Sequence, residues 1–315
     1  MPVGAARQTG RVTEAPLLDA LGGVGRRYAG PDADVVPLPR ADQRPAAGAV
    51  LVRCGAVVVK AHAPGTDRAA LRVRLAAAAG TPLAEVLLAP LETEPIAVGG
   101  RLVSVWPYGR PVAVDPARVP WVEAATLLAR LHTLTPPAGG LPACGAARRS
   151  ADNVGALRDG GRAQAVVAAA WRTVPDWARG DAAPPGPLTV VHGDWHLGQL
   201  VARDGGWRLI DVDDLGVGPP VWDFARLAAL RALGVVLEDE FRGFLDAYWA
   251  AGGPALRPGG GTAEDPAGWT ALDAVTRAAV VSMAAKRAGA PAGGYPDALE
   301  GHLLRACAQI AACPT

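Results

Sequence analysis

The sequence predicts an α+β chain of two lobes, a small, mainly β lobe followed by a larger helical one. Three observations predict it. Between about residues 32 and 110, short apolar runs alternate with turn residues and one helical stretch interrupts them. From Pro120 onward the apolar residues recur at helical spacing. The length of 315 residues exceeds a typical single domain. The expected division is 1–107 for the first lobe and 108–315 for the second.

In chain order, residues 14–23 read as a short helix ending at Gly22-Gly23. Ala49–Arg53 and Ala56–Lys60 read as strands joined by a tight turn at Cys54-Gly55. Asp67–Ala79 has Ala and Leu at helical spacing, with Asp67 placed to cap it. Ile96–Val98 and Leu102–Trp106 are strands around a Gly99-Gly100 turn. Trp121–Leu134 carries apolar residues at 121, 124, 128 and 131, one helix face, and Pro136-Pro137 ends it. Further helices are expected at 153–172, 221–233, 236–251, 269–287 and 297–312. Gly- and Pro-rich loops are expected at 135–147, 178–187 and 252–268.

Composition excludes several functions. Half of the residues are hydrophobic and the net charge is +1, which leaves no electrostatic footprint for nucleic acid. No apolar run reaches the length of a membrane span, and residues 1–20 lack a basic segment followed by an apolar run. Neither a membrane partner nor a signal peptide is expected. Four scattered cysteines without a C-x-x-C fit reduced thiols in a cytoplasmic protein. There is no Gly-Lys dipeptide for a Walker-A loop, and Tyr28 stands where a dinucleotide fingerprint begun at Gly23-Val24-Gly25 needs glycine.

The chemistry concentrates in Leu188–Arg226. Leu188–Val191 leads into His192-Gly193-Asp194, and Leu200–Arg203 and Trp207–Ile210 flank Asp204-Gly205-Gly206. With a three-residue loop Arg203 pairs with Trp207, which sets Gln199 opposite Asp211. Oxygen donors about 5 Å apart on one sheet face can share a hard cation such as Mg²⁺.

This constellation resembles the aminoglycoside phosphotransferase family, a branch of the protein-kinase-like fold. The family's His-Gly-Asp is matched by His192, Gly193 and Asp194, and Gln199 stands in place of its Asn. Ile210-Asp211 matches the metal-binding segment, and Gly218, Pro219, Asp223, Phe224 and Ala225 match the pattern that follows, with one extra residue of spacing. The loop H-G-D-x-H-L-G-Q is similar to that of the maltokinase and glucosamine-kinase subgroup.

The resemblance implies an ATP-dependent small-molecule kinase using Mg²⁺. Asp194 would accept or orient the proton of the acceptor hydroxyl, and Gln199 and Asp211 would hold the metal. His192 would brace the loop, Asp223 would hydrogen-bond the loop backbone, and His196 would approach the γ-phosphate. Lys60, ending the buried-looking run Val57–Val59, would grip the α- and β-phosphates. Trp106-Pro107-Tyr108-Gly109 would be the hinge that meets adenine.

Two departures stand out. Asp67–Ala79 holds no Glu to pair with Lys60, its only acid being Asp67 at the start, and Gln199 in place of Asn, a milder change, keeps the amide oxygen but adds a methylene. The first raises an alternative, a nucleotide-binding pseudokinase. A metal-dependent hydrolase is another, since His192, Asp194 and His196 are metal-ligand types at close spacing, but the chain has only five histidines. For the acceptor, Trp195 stands beside the proposed base, and Asp213, Asp214, Glu238, Asp239, Glu240 and Asp273 could form a pocket for amino groups or a solvated surface. A sugar, an amino sugar and an aminoglycoside-like compound are the rival acceptors.

Overall fold

The computed structural model describes residues 15–38, 48–113, 115, 118–158, 160–257, 266–289 and 297–313. Two compact units divide between Arg110 and Pro111.

The first unit is a five-stranded antiparallel sheet in the order β1-β2-β3-β5-β4. Its strands are β1 (Val35–Pro37), β2 (Val50–Cys54), β3 (Val57–Ala61), β4 (Ile96–Val98) and β5 (Arg101–Pro107). Pleating sends alternate residues to opposite faces. Val57, Val59 and Ala61 therefore join Val50, Val52, Cys54, Val103 and Val105 in a core under Leu21 and Val24 of helix α1. Helix α1 spans Ala15–Ala29 and does not stop at Gly22-Gly23 as expected from the sequence. Gly22, with Gly25 one turn on, serves packing instead of termination: a Cβ on Gly22 would lie 3.1 Å from Val35, and one on Gly25 2.2 Å from the Cys54 sulfur. The first hairpin turns at Gly55-Ala56, one residue later than expected, with Cys54 still paired to Val57. Helix α2 (Arg68–Ala79) starts where predicted, with the Asp67 carboxylate accepting from the Ala69 and Ala70 N–H groups.

The second unit is mainly helical: α3 (Trp121–Thr133), α4 (Ala146–Gly155), α5 (Arg162–Thr173), the short α6 (Asp176–Arg179), α7 (Ala225–Ala232), α8 (Glu238–Ala250), α9 (Pro266–Ala288) and α10 (Asp297–Ala312). The single helix expected over 153–172 is two, α4 and α5. Gly160, at φ +64°, and Gly161 interrupt it, because glycine populates left-handed backbone that a helix excludes. The helix expected over 221–233 begins as a 3₁₀ turn, Pro220–Phe224, before α7. Part of the loop expected at 252–268 lies outside the described residues.

An aromatic cluster centres this unit. Phe244 and Tyr248 of α8 pack edge-on to Phe224, and Phe244 meets Trp121 of α3 at 6.2 Å. After the two-residue strand β6 (Arg110–Pro111) come β7 (Thr189–Val191), β8 (Leu200–Arg203), β9 (Gly206–Leu209) and β10 (Gly216–Gly218). Strands β8 and β9 form the predicted hairpin; β10 pairs antiparallel with β7. Among the described residues no helix is long and apolar enough to cross a membrane.

Candidate active site

The loop after β7 carries His192-Gly193-Asp194, and a buried carboxylate fixes its backbone. Asp223, fully buried, accepts from the His192 N–H through Oδ2 and from the Gly193 N–H through Oδ1, both at 2.7 Å. Such charge-assisted bonds are short and strong in a low-dielectric interior. The same Oδ2 accepts from His132 Nε2 at 3.0 Å; His132 Nδ1 meets the Tyr248 hydroxyl at 2.8 Å, and that hydroxyl accepts from the Ala255 N–H. Thus α3 and α8 orient the carboxylate that orients the loop.

His192 braces the loop from inside. A carbonyl only accepts, so Nε2–H donates to Ile210 O at 2.7 Å, leaving Nδ1 to accept from the Asp194 N–H. Gly193 has φ +83°, and a Cβ there would stand 2.7 Å from Asp214 O and 2.8 Å from Asp214 Cβ. Only glycine fits without strain.

Asp194 is thereby presented at the rim of a cleft of about 420 Å³, open mouth included, lined in part by Arg149, Trp195, Trp222, Arg226 and Lys286. Its Oδ1 is held by Arg226 Nη2 at 2.9 Å and Arg149 Nη2 at 3.2 Å. Among the described residues Oδ2 makes no hydrogen bond or ion pair. Burial pushes this carboxyl up, but Arg149, then Arg226, outweigh it and hold the pKa at about 2. Arg149 also donates to Asp214 and to Gly193 O. Neither arginine was singled out in the sequence. Arg226 had a signal, since it follows Asp223 by three residues, the spacing that aligns two side chains along a helix; Arg149 had none.

His196 caps the 3₁₀ turn Leu197–Gln199, its Nδ1 accepting from the Gly198 N–H at 3.0 Å. Burial, reinforced by Arg226, lowers its pKa to about 3, so near neutrality it carries one proton, on Nε2.

The hairpin register corrects the sequence expectation. Asp204 and Gly205, at φ +51° and +76°, form a two-residue turn, pairing Arg203 with Gly206 and Leu200 with Leu209. An Asp-Gly turn with both φ positive closes a hairpin in two residues because its twist matches that of the flanking strands. Gln199 therefore stands opposite Ile210, whose N–H donates to Gln199 O at 2.9 Å, and Asp211 falls one residue beyond. Asp211 adopts φ +70°, a left-handed backbone uncommon outside glycine, and its Oδ1 accepts from the Asp213 N–H. The Gln199 amide has no partner among the described residues, although the residue is 8% exposed. A one-residue offset turns neighbouring side chains to opposite faces of a sheet, so the shared-face pairing of Gln199 with Asp211 expected from the sequence does not follow from this register; what remains is that both side chains carry oxygen donors of the type a hard cation takes.

Several expectations about side chains are now resolved. Trp195 lines the cleft, yet it is 2% exposed and packs on Phe244 at 4.9 Å, and its indole N–H has no acceptor among the described residues. The acids proposed for an amine pocket are largely engaged: Asp214 with Arg149, Glu238 with Arg231, Glu240 with the Leu237 N–H, and Asp273 with Arg277. Among the described residues no group of three or more His, Cys, Asp or Glu could hold a metal, and both ring nitrogens of His192 are committed, which removes the hydrolase alternative's metal cage.

In the first unit, Lys60 is 6% exposed and pairs across β3 with Leu51 and Ser104, on the face opposite the α1 core. On that face Ser104 Oγ accepts from Trp106 Nε1 at 2.8 Å and meets His62 Nε2 at 2.8 Å. The Tyr108 N–H is spent on Ala56 O at 2.7 Å, and the Arg53 guanidinium lies 3.8 Å above the Tyr108 ring. Helix α2 offers Lys60 no carboxylate, and Asp67 is occupied as its cap.

A glucosamine kinase of Streptacidiphilus jiangxiensis is 32% identical over 133 residues, which is 39% of this chain and 30% of that enzyme, so the match spans under a third of the relative's length. A choline/ethanolamine kinase family protein from Mesorhizobium loti superposes with a TM-score of 0.61 at 16% identity, covering 94% of this chain and 95% of that one. A spectinomycin phosphotransferase, APH(9)-Ia, in complex with ADP and spectinomycin, gives 0.57 at 14% identity, covering 94% and 98%. These likenesses show a kinase-like α+β fold. Residues 43–264 match the profile described as the phosphotransferase enzyme family (APH), so the chain belongs to that family.

Proposed function

We propose that the protein is an ATP-dependent small-molecule kinase that transfers the γ-phosphoryl group to a hydroxyl of a sugar, amino sugar or aminoglycoside-like acceptor. The observation carrying this reading is the Asp223 clamp, which holds the loop so that Asp194 meets the cleft with Oδ2 unengaged. The glucosamine kinase similarity and the ADP complex of the spectinomycin phosphotransferase support it.

In the step, the acceptor oxygen forms a bond to the γ-phosphorus while the bond to the β–γ bridging oxygen breaks and ADP leaves. The hydroxyl proton passes to Asp194. Held at about 2, Asp194 is a weak base. It orients the hydroxyl through Oδ2 and takes the proton late, once the acceptor oxygen has become acidic by bonding to phosphorus. His196, neutral with its proton on Nε2, donates to a phosphate oxygen without adding charge. Lys60 grips the α- and β-phosphates, and the segment Trp106-Pro107-Tyr108 is the hinge that meets the adenine. Gln199 and Asp211 hold Mg²⁺, which when bound offsets the phosphate charge.

One observation favours a second reading, nucleotide binding without turnover: helix α2 carries no acid for Lys60. An acceptor screen with Mg²⁺ and ATP decides between them. Acceptor-dependent ADP release that is lost in Asp194→Asn supports the kinase. Mg²⁺-dependent ATP binding with no phosphorylated product from any acceptor supports the second reading.

A further inference from the structure

Resting on the kinase reading, we propose that Ser150 and Ser282 are specificity-determining residues: their hydroxyls read two oxygen groups of the acceptor, which selects a sugar ring over an acceptor with a single hydroxyl. Both serines line the cleft that holds Asp194, at 2% and 4% exposure. Serine is mostly a surface residue, and a hydroxyl withdrawn from water costs free energy unless a partner replaces the water. Among the described residues the Ser150 hydroxyl makes no hydrogen bond. Thr276 on α9 shows the usual alternative, its hydroxyl donating to Leu272 O one turn back at 2.7 Å. Ser150 does not take it, so its hydroxyl is paired by what fills the cleft.

The two hydroxyls come to one space from two helices. Ser150 and Asn153 are three residues apart on α4 and share a helix face. Asn153 Nδ2 donates to Ser282 Oγ of α9 at 2.9 Å, which turns that face toward Ser282. Arg149, the residue before Ser150, holds Asp194 Oδ1 at 3.2 Å, so the pair stands beside the proposed base. The roles of the two serines differ. Ser150 can donate or accept. Ser282 already accepts from Asn153 and makes no other bond among the described residues, so its O–H is left to donate. It meets a hydroxyl or a ring oxygen and rejects an ammonium, which only donates. An amino sugar therefore fits with its amine turned away from Ser282. Trp195 and Trp222 line the same cleft and offer aromatic surface to the C–H face of a ring. An acceptor with one hydroxyl spends it on Asp194 Oδ2 and leaves both serines unpaired. A site built to hydrogen-bond an oxygen rejects the analogue that lacks it.

The test uses glucose, glucosamine, galactose and choline, with the monodeoxy forms of whichever sugar binds tightest. Binding to the full chain is measured by calorimetry without nucleotide, and phosphoryl transfer is measured with Mg²⁺ and ATP. We expect at least one sugar to bind, and choline to bind at least about ten-fold more weakly. Ser150→Ala and Ser282→Ala should each weaken that sugar about three- to ten-fold, the factor one neutral hydrogen bond supplies, with ATP affinity unchanged. For each variant one monodeoxy sugar should bind parent and variant alike, because the oxygen that the serine reads is already gone. Ser150→Ala removes a buried hydroxyl with no protein partner, so its thermal midpoint should not fall. No sugar binding, choline bound as tightly as the sugars, or either variant binding every sugar like the parent overturns the inference. A lowered Ser150→Ala midpoint with the same loss for every deoxy sugar marks a structural serine and overturns it too. Transfer to choline and to no sugar overturns it while the kinase reading stands. Serine-dependent sugar binding without transfer to any compound keeps the sugar site and overturns the kinase reading.

Discussion

Replacing Asp223 by Asn tests the clamp on the catalytic loop while changing almost nothing in volume. The carboxylate serves three donors: His192 N and His132 Nε2 on Oδ2, and Gly193 N on Oδ1. An asparagine keeps its carbonyl where it serves two of them, the Oδ2 side, and turns its NH₂ toward the Gly193 N–H. One charge-assisted bond disappears, worth about 2 kcal/mol, and a buried donor is left facing a donor, at about 1 kcal/mol or more. Asp223→Asn should therefore lose about 3 kcal/mol, and Asp223→Ala, which strands all three donors, about 5 kcal/mol. Urea unfolding followed by tryptophan fluorescence reads the loss as a lowered midpoint with unchanged slope. The freed loop moves Asp194 out of register with the acceptor, so turnover should fall about 100-fold at temperatures where the variant is folded. An asparagine variant within about 0.5 kcal/mol of the parent, at full turnover, would refute the clamp.

Four other outcomes follow from the site. Asp194→Asn should leave ATP binding intact and lower turnover by about three orders of magnitude, seen by comparing nucleotide affinity with ADP release. Asp211→Gly relaxes the left-handed backbone at φ +70°, so stability should stay within about 1 kcal/mol while the Mg²⁺ dependence of nucleotide binding vanishes; a retained dependence would remove Asp211 from the metal site. Gly193→Ala forces a Cβ against Asp214 at φ +83° and should cost about 2 kcal/mol or more in thermal or urea unfolding, with activity falling alongside. His196 has its pKa lowered from 6.5 to about 3, so the unfolded chain binds the proton first: its contribution is whole above pH 6.5 and drains away as the pH drops toward 3. His196→Gln should flatten the urea midpoint between pH 6.5 and 4, and an unaltered slope would reject the buried neutral imidazole.

The strands of the first unit were legible because Val57–Val59 and Leu102–Trp106 are bounded by glycine turns, and the Asp67 cap because its carboxylate precedes an Ala- and Leu-rich run. The motif loop was legible because its residue types have few other uses at that spacing. The end of α1 was misread, since glycine punctuates isolated helices but also permits close packing, and only the tertiary position of Val35 against Gly22 tells which. The hairpin register hinged on whether Asp204-Gly205 closes in two residues or three, a choice set by backbone twist. Arg149 escaped notice because its relation to Asp194 is made by tertiary contact across forty-odd residues, with no local pattern to announce it.

The chain from Asp223 through His132 and Tyr248 to Ala255 has a consequence for how this enzyme family member can evolve. Its His-Gly-Asp loop is aimed from the hydrophobic interior, by an imidazole and a phenol that are both buried. On the proposed reading, substitutions of cleft residues that hold neither Asp194 nor its loop retune acceptor choice without disturbing that aim. An interior change as small as Tyr248→Phe, by contrast, reaches the chemistry while leaving every surface contact as it was.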